Sequence, residues 1–134
     1  MLKSIGVVGG SYVLSVVLVL GSDPLLAVLF PGDFVRGNTP SDGALLASTA
    51  LFVVVSIACA SLCARLAPGR AGRHLLWFFV VGEVMGIASA IPTWSNGWPH
   101  WYSLSWLLSW PASCWVGLMI GGRAYSIPIA ARPT

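Results

Sequence analysis

Four long apolar runs, separated by short polar stretches, set the pattern of this chain: Ile5–Leu20, Ala44–Ala64, Leu75–Pro92 and Tyr102–Gly122. The second and fourth contain no charged residue, the third contains only Glu83, and the first is bracketed by Lys3 and Asp23. A helix needs about 20 residues, within a range of ~17–25, to cross the hydrocarbon core of a bilayer. The second and fourth runs meet this length. The third does so if its ends reach the headgroups, and the first if it is counted from Lys3 to Asp23. The pattern predicts transmembrane helices over residues 4–21, 43–65, 74–92 and 102–122. The fold class is all-α, one integral membrane bundle of four helices occupying residues 1–134.

The polar stretches fit this division. Pro68-Gly69 makes a tight turn between the second and third helices, and Asn96-Gly97 is the turn of the short Pro92–Trp101 link. The loop from Gly21 to Gly43 is longer. In it, Asp23-Pro24 reads as an N-cap followed by a first-turn proline, so that residues 24–30 form a short interfacial helix. Thr39 or Ser41 caps the second helix, and Asp42 suits the positive end of its dipole. A rival reading makes the first run a secretory signal peptide ending near Gly21-Ser22, although the run is longer than the usual h-region of about 7–15 residues.

Composition excludes a soluble domain. The chain is 57% hydrophobic and 8% charged, against roughly 25% charged in typical soluble domains. The net charge of +3 comes from seven scattered basic residues that form no continuous patch, so no nucleic-acid partner is expected. Their distribution gives an orientation instead. With alternating helices, Lys3, Arg65, Arg70, Arg73, Arg123 and Arg132 fall on one side, and Arg36 lies on the other with Asp23, Asp33 and Asp42. The positive-inside rule then places both termini in the cytoplasm.

Helices in lipid associate through close backbone approach and polar contacts. Ser105, Ser109, Ser113, Gly117 and Gly121 recur every four residues as one small-residue stripe on the fourth helix. Gly82, Gly86 and Ala90 repeat the spacing on the third, Ser56, Ala60 and Ala64 on the second, and Gly6 and Gly10 begin the first. Such stripes serve packing within the bundle, or an outward face for a second copy or a larger membrane protein. Trp94, Trp98, Trp101 and Tyr102 form an aromatic belt at one end, with Trp77 near the other; the alternative is an aromatic-lined ligand cleft. Trp106, Trp110 and Trp115 lie deeper and suit lipid-facing or groove-filling roles equally.

Glu83 is the one ionisable residue well inside a predicted span. It stands about nine residues from either end of its run, near the bilayer centre at ~1.5 Å per residue. An ionised carboxylate there costs ~3 kcal/mol or more, so the group is protonated, paired or open to internal water. No basic residue lies at comparable depth. Pro111, at a similar depth in the fourth helix, cannot donate to the Leu107 carbonyl. This suggests a structural hydrogen bond from protonated Glu83 to that carbonyl or to Ser109; the functional alternative is a proton or cation-substrate site built on Glu83, Ser109 and Pro111. His74 and His100 fall at opposite faces of the membrane and read as interfacial side chains. Cys59 and Cys63 share a helix face but have no third ligand nearby, so they read as small buried hydrophobes. Asp23, Asp33 and Asp42 follow no metal-binding pattern. No metal, cofactor or catalytic group is expected.

The opening Leu2-Lys3-Ser4-Ile5 leading to Gly10 and Tyr12, and the closing Trp101-Tyr102-Ser103-Leu104, Pro111 and Gly121-Gly122-Arg123, resemble a group of uncharacterised small bacterial four-helix integral membrane proteins. The resemblance implies four helices in a bacterial inner membrane and carries no functional residues with it. Two functions remain in view. One is a non-enzymatic membrane protein that packs with itself or a larger membrane partner. The other is a proton-coupled small-molecule transporter using Glu83. Small multidrug transporters also have four helices and one buried glutamate, but theirs is in the first helix and Glu83 is in the third, so the parallel is physical only. A membrane enzyme would need His, Asp or Glu clustered at one depth, where the sequence offers Glu83 alone.

Overall fold

The computed structural model describes residues 2–34, 39–67 and 69–123; Arg36, Pro68 and Arg132, used above for the orientation and the turn, lie outside the described residues. Four helices follow in chain order: α1 (Leu2–Leu29), α2 (Asp42–Leu66), α3 (Ala71–Ser95) and α4 (His100–Arg123). No strand occurs among the described residues. With 28, 25, 25 and 24 residues, they run roughly 36–42 Å at 1.5 Å per residue, more than the ~30 Å hydrocarbon core. All four are long and apolar enough to cross a membrane. Their outward faces are apolar as well: Val28 is 77% and Leu108 72% exposed. Water does not tolerate a continuous apolar coat of this kind, whereas lipid does.

Local chemistry sets the helix ends. The Ser41 hydroxyl accepts from the Ala44 N–H (3.4 Å) as the cap of α2. Both the Ser41 N–H (3.1 Å) and its hydroxyl (2.8 Å) donate to the Asp33 carboxylate, which ties the α1–α2 loop to the cap. The two short turns place Gly69 (φ +88°) and Gly97 (φ +76°) in the left-handed region that glycine adopts without strain.

One boundary differs from the sequence expectation. There is no separate interfacial helix over 24–30: α1 continues through Pro24 to Leu29, and the Phe30 N–H still reaches the Leu26 carbonyl at 2.8 Å. A proline inside a helix removes one hydrogen bond, while a break leaves up to four donors and four acceptors without partners. Near lipid the continuous helix leaves fewer groups unpaired.

The helices occupy the corners of a square in the order α1, α2, α4, α3, with α2 and α3 also in contact across it. Diagonal α1 and α4 make no close backbone approach among the described residues. The most extensive seam joins α2 to α4. Its stripe is used inside the chain: Ser113, Gly117 and Gly121 are buried and Ser105 and Ser109 half-buried, and a Cβ at Gly121 would lie 2.5 Å from the Ser61 carbonyl oxygen. Thr49 and Ser105 hydroxyls meet at 3.2 Å, and Ser48 and Tyr102 hydroxyls at 3.1 Å. On α3, Gly82 lies under the Trp110 indole and Gly86 under Leu107. Gly6 and Gly10 differ from these: a Cβ at either would meet nothing within 4 Å, and α1 instead buries Ser11 and Ser15.

Candidate functional site

At the centre of the square, Phe78 is fully buried and stacks on Trp110 at 5.1 Å between ring centroids. Tyr12 meets Phe78 edge-on at 6.5 Å, and Phe52 lies 5.9 Å from Trp110. Trp110 is 5% exposed, and its Nε1–H donates to the Phe79 carbonyl at 3.0 Å, which binds α4 to α3. This aromatic layer forms one wall of a cavity of about 170 Å³ lined from all four helices. Tyr12, Ser15, Phe52, Ser56, Trp106 and Glu83 are among its lining residues.

Glu83 is half-buried, and its Oε2 is a buried atom with no hydrogen-bond partner. The expected bond to the Leu107 carbonyl or to Ser109 is absent: the Ser109 hydroxyl donates to the Trp106 carbonyl at 3.2 Å, within its own helix. Helix geometry explains the difference. Gly82 and Gly86, one turn apart, face α4, and Glu83 is rotated ~100° from Gly82 about the axis. The carboxyl group therefore turns to the cavity, and Trp110 makes the α3–α4 bond in its place. Pro111 is exposed and, like Ser109, does not line the cavity.

A second lining atom is also unpaired. Trp106 Nε1 is buried without a partner, so two of the residues that line the cavity each carry an unpaired polar atom. Buried polar atoms are nearly always hydrogen-bonded. Two unpaired ones in one cavity mark a place where a polar guest gains from both. The Ser15 and Ser56 hydroxyls are already engaged with the carbonyls of Tyr12 and Phe52, at 2.7 Å and 2.6 Å. A cavity near 150 Å³ accommodates a benzene-sized molecule, while drug-sized ligands occupy roughly 300–1,000 Å³. Aromatic faces attract cations. Together these features suit a small organic ammonium ion, or a proton with a few waters.

The sequence pointed to Glu83 by its depth but not to its surroundings. Trp106 and Trp110 stand one turn apart, as do Ser11 and Ser15, the polar pair on an otherwise apolar stretch of α1. Those spacings were the available signal. Cys59, Cys63 and Cys114 are buried free thiols in the core beneath. His100 stacks on Trp94 at 4.4 Å, as an interfacial ring can. His74, by contrast, is only 7% exposed. Among the described residues, no three His, Cys, Asp or Glu side chains gather as a metal site.

Comparison of the chain with protein-family models, with curated proteins and with solved structures gives no match in any of the three.

Proposed function

We propose that this four-helix membrane protein is a proton-coupled carrier of small organic ammonium ions, with Glu83 as the shared site. The observation that carries the reading is the unpaired, buried Oε2 of Glu83 in an aromatic cavity reached from all four helices. With the cavity free of cation, the carboxyl group holds its proton, because an ionised carboxylate at this depth costs ~3 kcal/mol or more. A primary ammonium ion entering the cavity restores the balance of charge. The carboxyl releases its proton to water, the carboxylate accepts N–H bonds from the ammonium, and the rings of Phe52, Trp106 and Trp110 enclose the apolar part. Proton and cation thus exclude one another at one atom pair, which is the requirement for exchange. The packing of α1, which makes no close backbone approach to α4 among the described residues, supports this helix as the one that moves. No reaction is assigned, and no cofactor is needed. The reading places the protein in a bacterial inner membrane with both termini cytoplasmic, supported by the basic residues at the ends of α1, α2 and α3.

The test is infrared spectroscopy of the protein in lipid at fixed pH. Benzylammonium is expected to remove the protonated carboxyl band and release one proton per cation bound, and Glu83→Gln to show neither effect. A carboxyl band that ignores benzylammonium sinks the proposal.

A second reading, a non-enzymatic protein packing with a second copy or a larger membrane protein, has one observation in its favour. Gly6, Gly9 and Gly10 of α1 are covered by no side chain of the described residues. The stripes on α3 and α4 lend it no support, being occupied by α2 and by Trp110 and Leu107. Cross-linking of cysteines placed at Gly6 and Gly10 separates the readings: only the second expects a dimer or a partner adduct there.

A further inference from the structure

At the end of the bundle that carries Lys3, Arg65, Arg70 and Arg73, a groove of about 760 Å³ runs between α1 and α3. Its rim is formed by Arg70, Arg73 and His74, and its floor by Val8, Trp77 and Val81. We propose that this groove holds an anionic phospholipid, with the phosphate on the rim and an acyl chain along the floor.

Four observations bear on the rim. Arg70 precedes the first turn of α3 and makes no side-chain cap, and that turn contains no acidic residue, so the positive end of the helix is uncompensated. Helix starts of this kind receive anions through their free N–H groups. Arg70 and Arg73 are exposed, and the four acidic residues of the chain lie elsewhere: Asp23, Asp33 and Asp42 at the other end, Glu83 ten residues further along α3, about 15 Å away. His74 is 7% exposed, and its Nε2 has no partner. The Nδ1 of the same ring lies 3.0 Å from the Arg70 carbonyl, and a carbonyl only accepts, so Nδ1 carries the hydrogen.

The floor decides between a lipid and a free anion. Trp77 is 59% exposed one turn beyond Arg73, and Val81 continues the apolar strip another turn inward. On the α1 side, Gly9 opens the wall, since a Cβ there would meet nothing within 4 Å. A free phosphate would use the rim alone. An occupant with a charged head and an apolar tail uses the whole groove, and basic pockets between membrane helices bind such headgroups. This site is separate from the Glu83 cavity and does not depend on its reading.

The proposal is tested by native mass spectrometry of the detergent-purified protein, titrated with phosphatidylglycerol or phosphatidylcholine of identical chains. Phosphatidylglycerol is expected to bind about 30-fold more tightly, the equivalent of ~1 kcal/mol for each of two arginines. Arg70→Gln with Arg73→Gln should abolish the preference. Arg65→Gln, at the same end but outside the groove, should leave it intact. All three arginines are exposed, so the variants keep their fold. Equal binding of the two lipids by the unaltered protein overturns the proposal. So does an equal loss in Arg65→Gln, which would mean diffuse surface charge. Displacement of phosphatidylglycerol by excess inorganic phosphate also overturns it, in favour of a free-anion site.

Discussion

Replacing Gly117 with alanine tests how closely α2 and α4 approach. A methyl group at Gly117 would meet the Ala60 Cβ and lie 3.0 Å from the Ser61 backbone nitrogen. Carbon atoms sit comfortably at ~3.5–4.0 Å, so the two helices must part by roughly 1 Å or more, and a gap of even ~0.5–1 Å forfeits a quarter to a half of each contact energy along the seam. Overpacking of this type costs ~1–3 kcal/mol, and this seam is the most extensive in the molecule. Gly6→Ala is the control, because its methyl meets nothing within 4 Å; a change within about 0.5 kcal/mol is expected there. The assay is reversible unfolding in mixed micelles of rising sodium dodecyl sulfate content, followed by helix circular dichroism. Ala60→Gly added to Gly117→Ala should recover part of the loss but not all, since the backbone contact with Ser61 remains. Gly117→Ala as stable as the parent, or Gly6→Ala as damaging as Gly117→Ala, would refute the close approach of α2 and α4.

Other outcomes follow from single contacts. Trp110→Phe keeps a ring against Phe78 but loses the donor to the Phe79 carbonyl; a loss of ~0.6 kcal/mol, and no more than ~1.7, is expected in the same assay. Tyr102→Phe, which removes the hydroxyl that meets Ser48, should cost a similar ~0.6 kcal/mol. Ser41→Ala deletes the α2 cap and the group that Asp33 holds. It should lower stability by ~1 kcal/mol and speed amide hydrogen exchange in the first turn of α2. Glu83→Gln preserves shape and polarity in the cavity, so stability should hold within ~0.5 kcal/mol while benzylammonium-driven proton release disappears.

The spans were legible because lipid imposes length and apolarity on a helix whatever its neighbours. Ser41 was legible as a cap because its signal lies within one turn of sequence. The stripe of Ser105, Ser109, Ser113, Gly117 and Gly121 was legible as an interface, but its partner was not, since spacing shows a face and never what covers it. Asp23-Pro24 misled for a physical reason: in water these residues start helices, whereas α1 continues through them where a break would strand more backbone groups. Glu83 was found by depth. Its neighbours were not, because they come from four helices, and the rotation of α3 that turns Glu83 away from α4 is set by the paired glycines at 82 and 86. Gly6 and Gly10 looked like a seam and are open, while Ser11 and Ser15 one position on are buried. A single step of ~100° about the helix axis separates the two readings.

The seam between α2 and α4 also bears on how the chain is made. Spans leave the ribosome in order, so α1, α2 and α3 are in the bilayer before α4 arrives. The last span is the least apolar of the four, and it brings Ser105 and Tyr102, whose hydroxyls are met by Thr49 and Ser48 of α2. A helix of this composition gains little from lipid alone, but α2 is already in place to receive it. α4 thus joins the bundle by docking onto the resident α2 and α3 rather than by partitioning as an independent span. The Gly97 turn that precedes it is exposed. The chain should therefore tolerate being divided there, with the two pieces, made separately in one membrane, assembling into the same bundle.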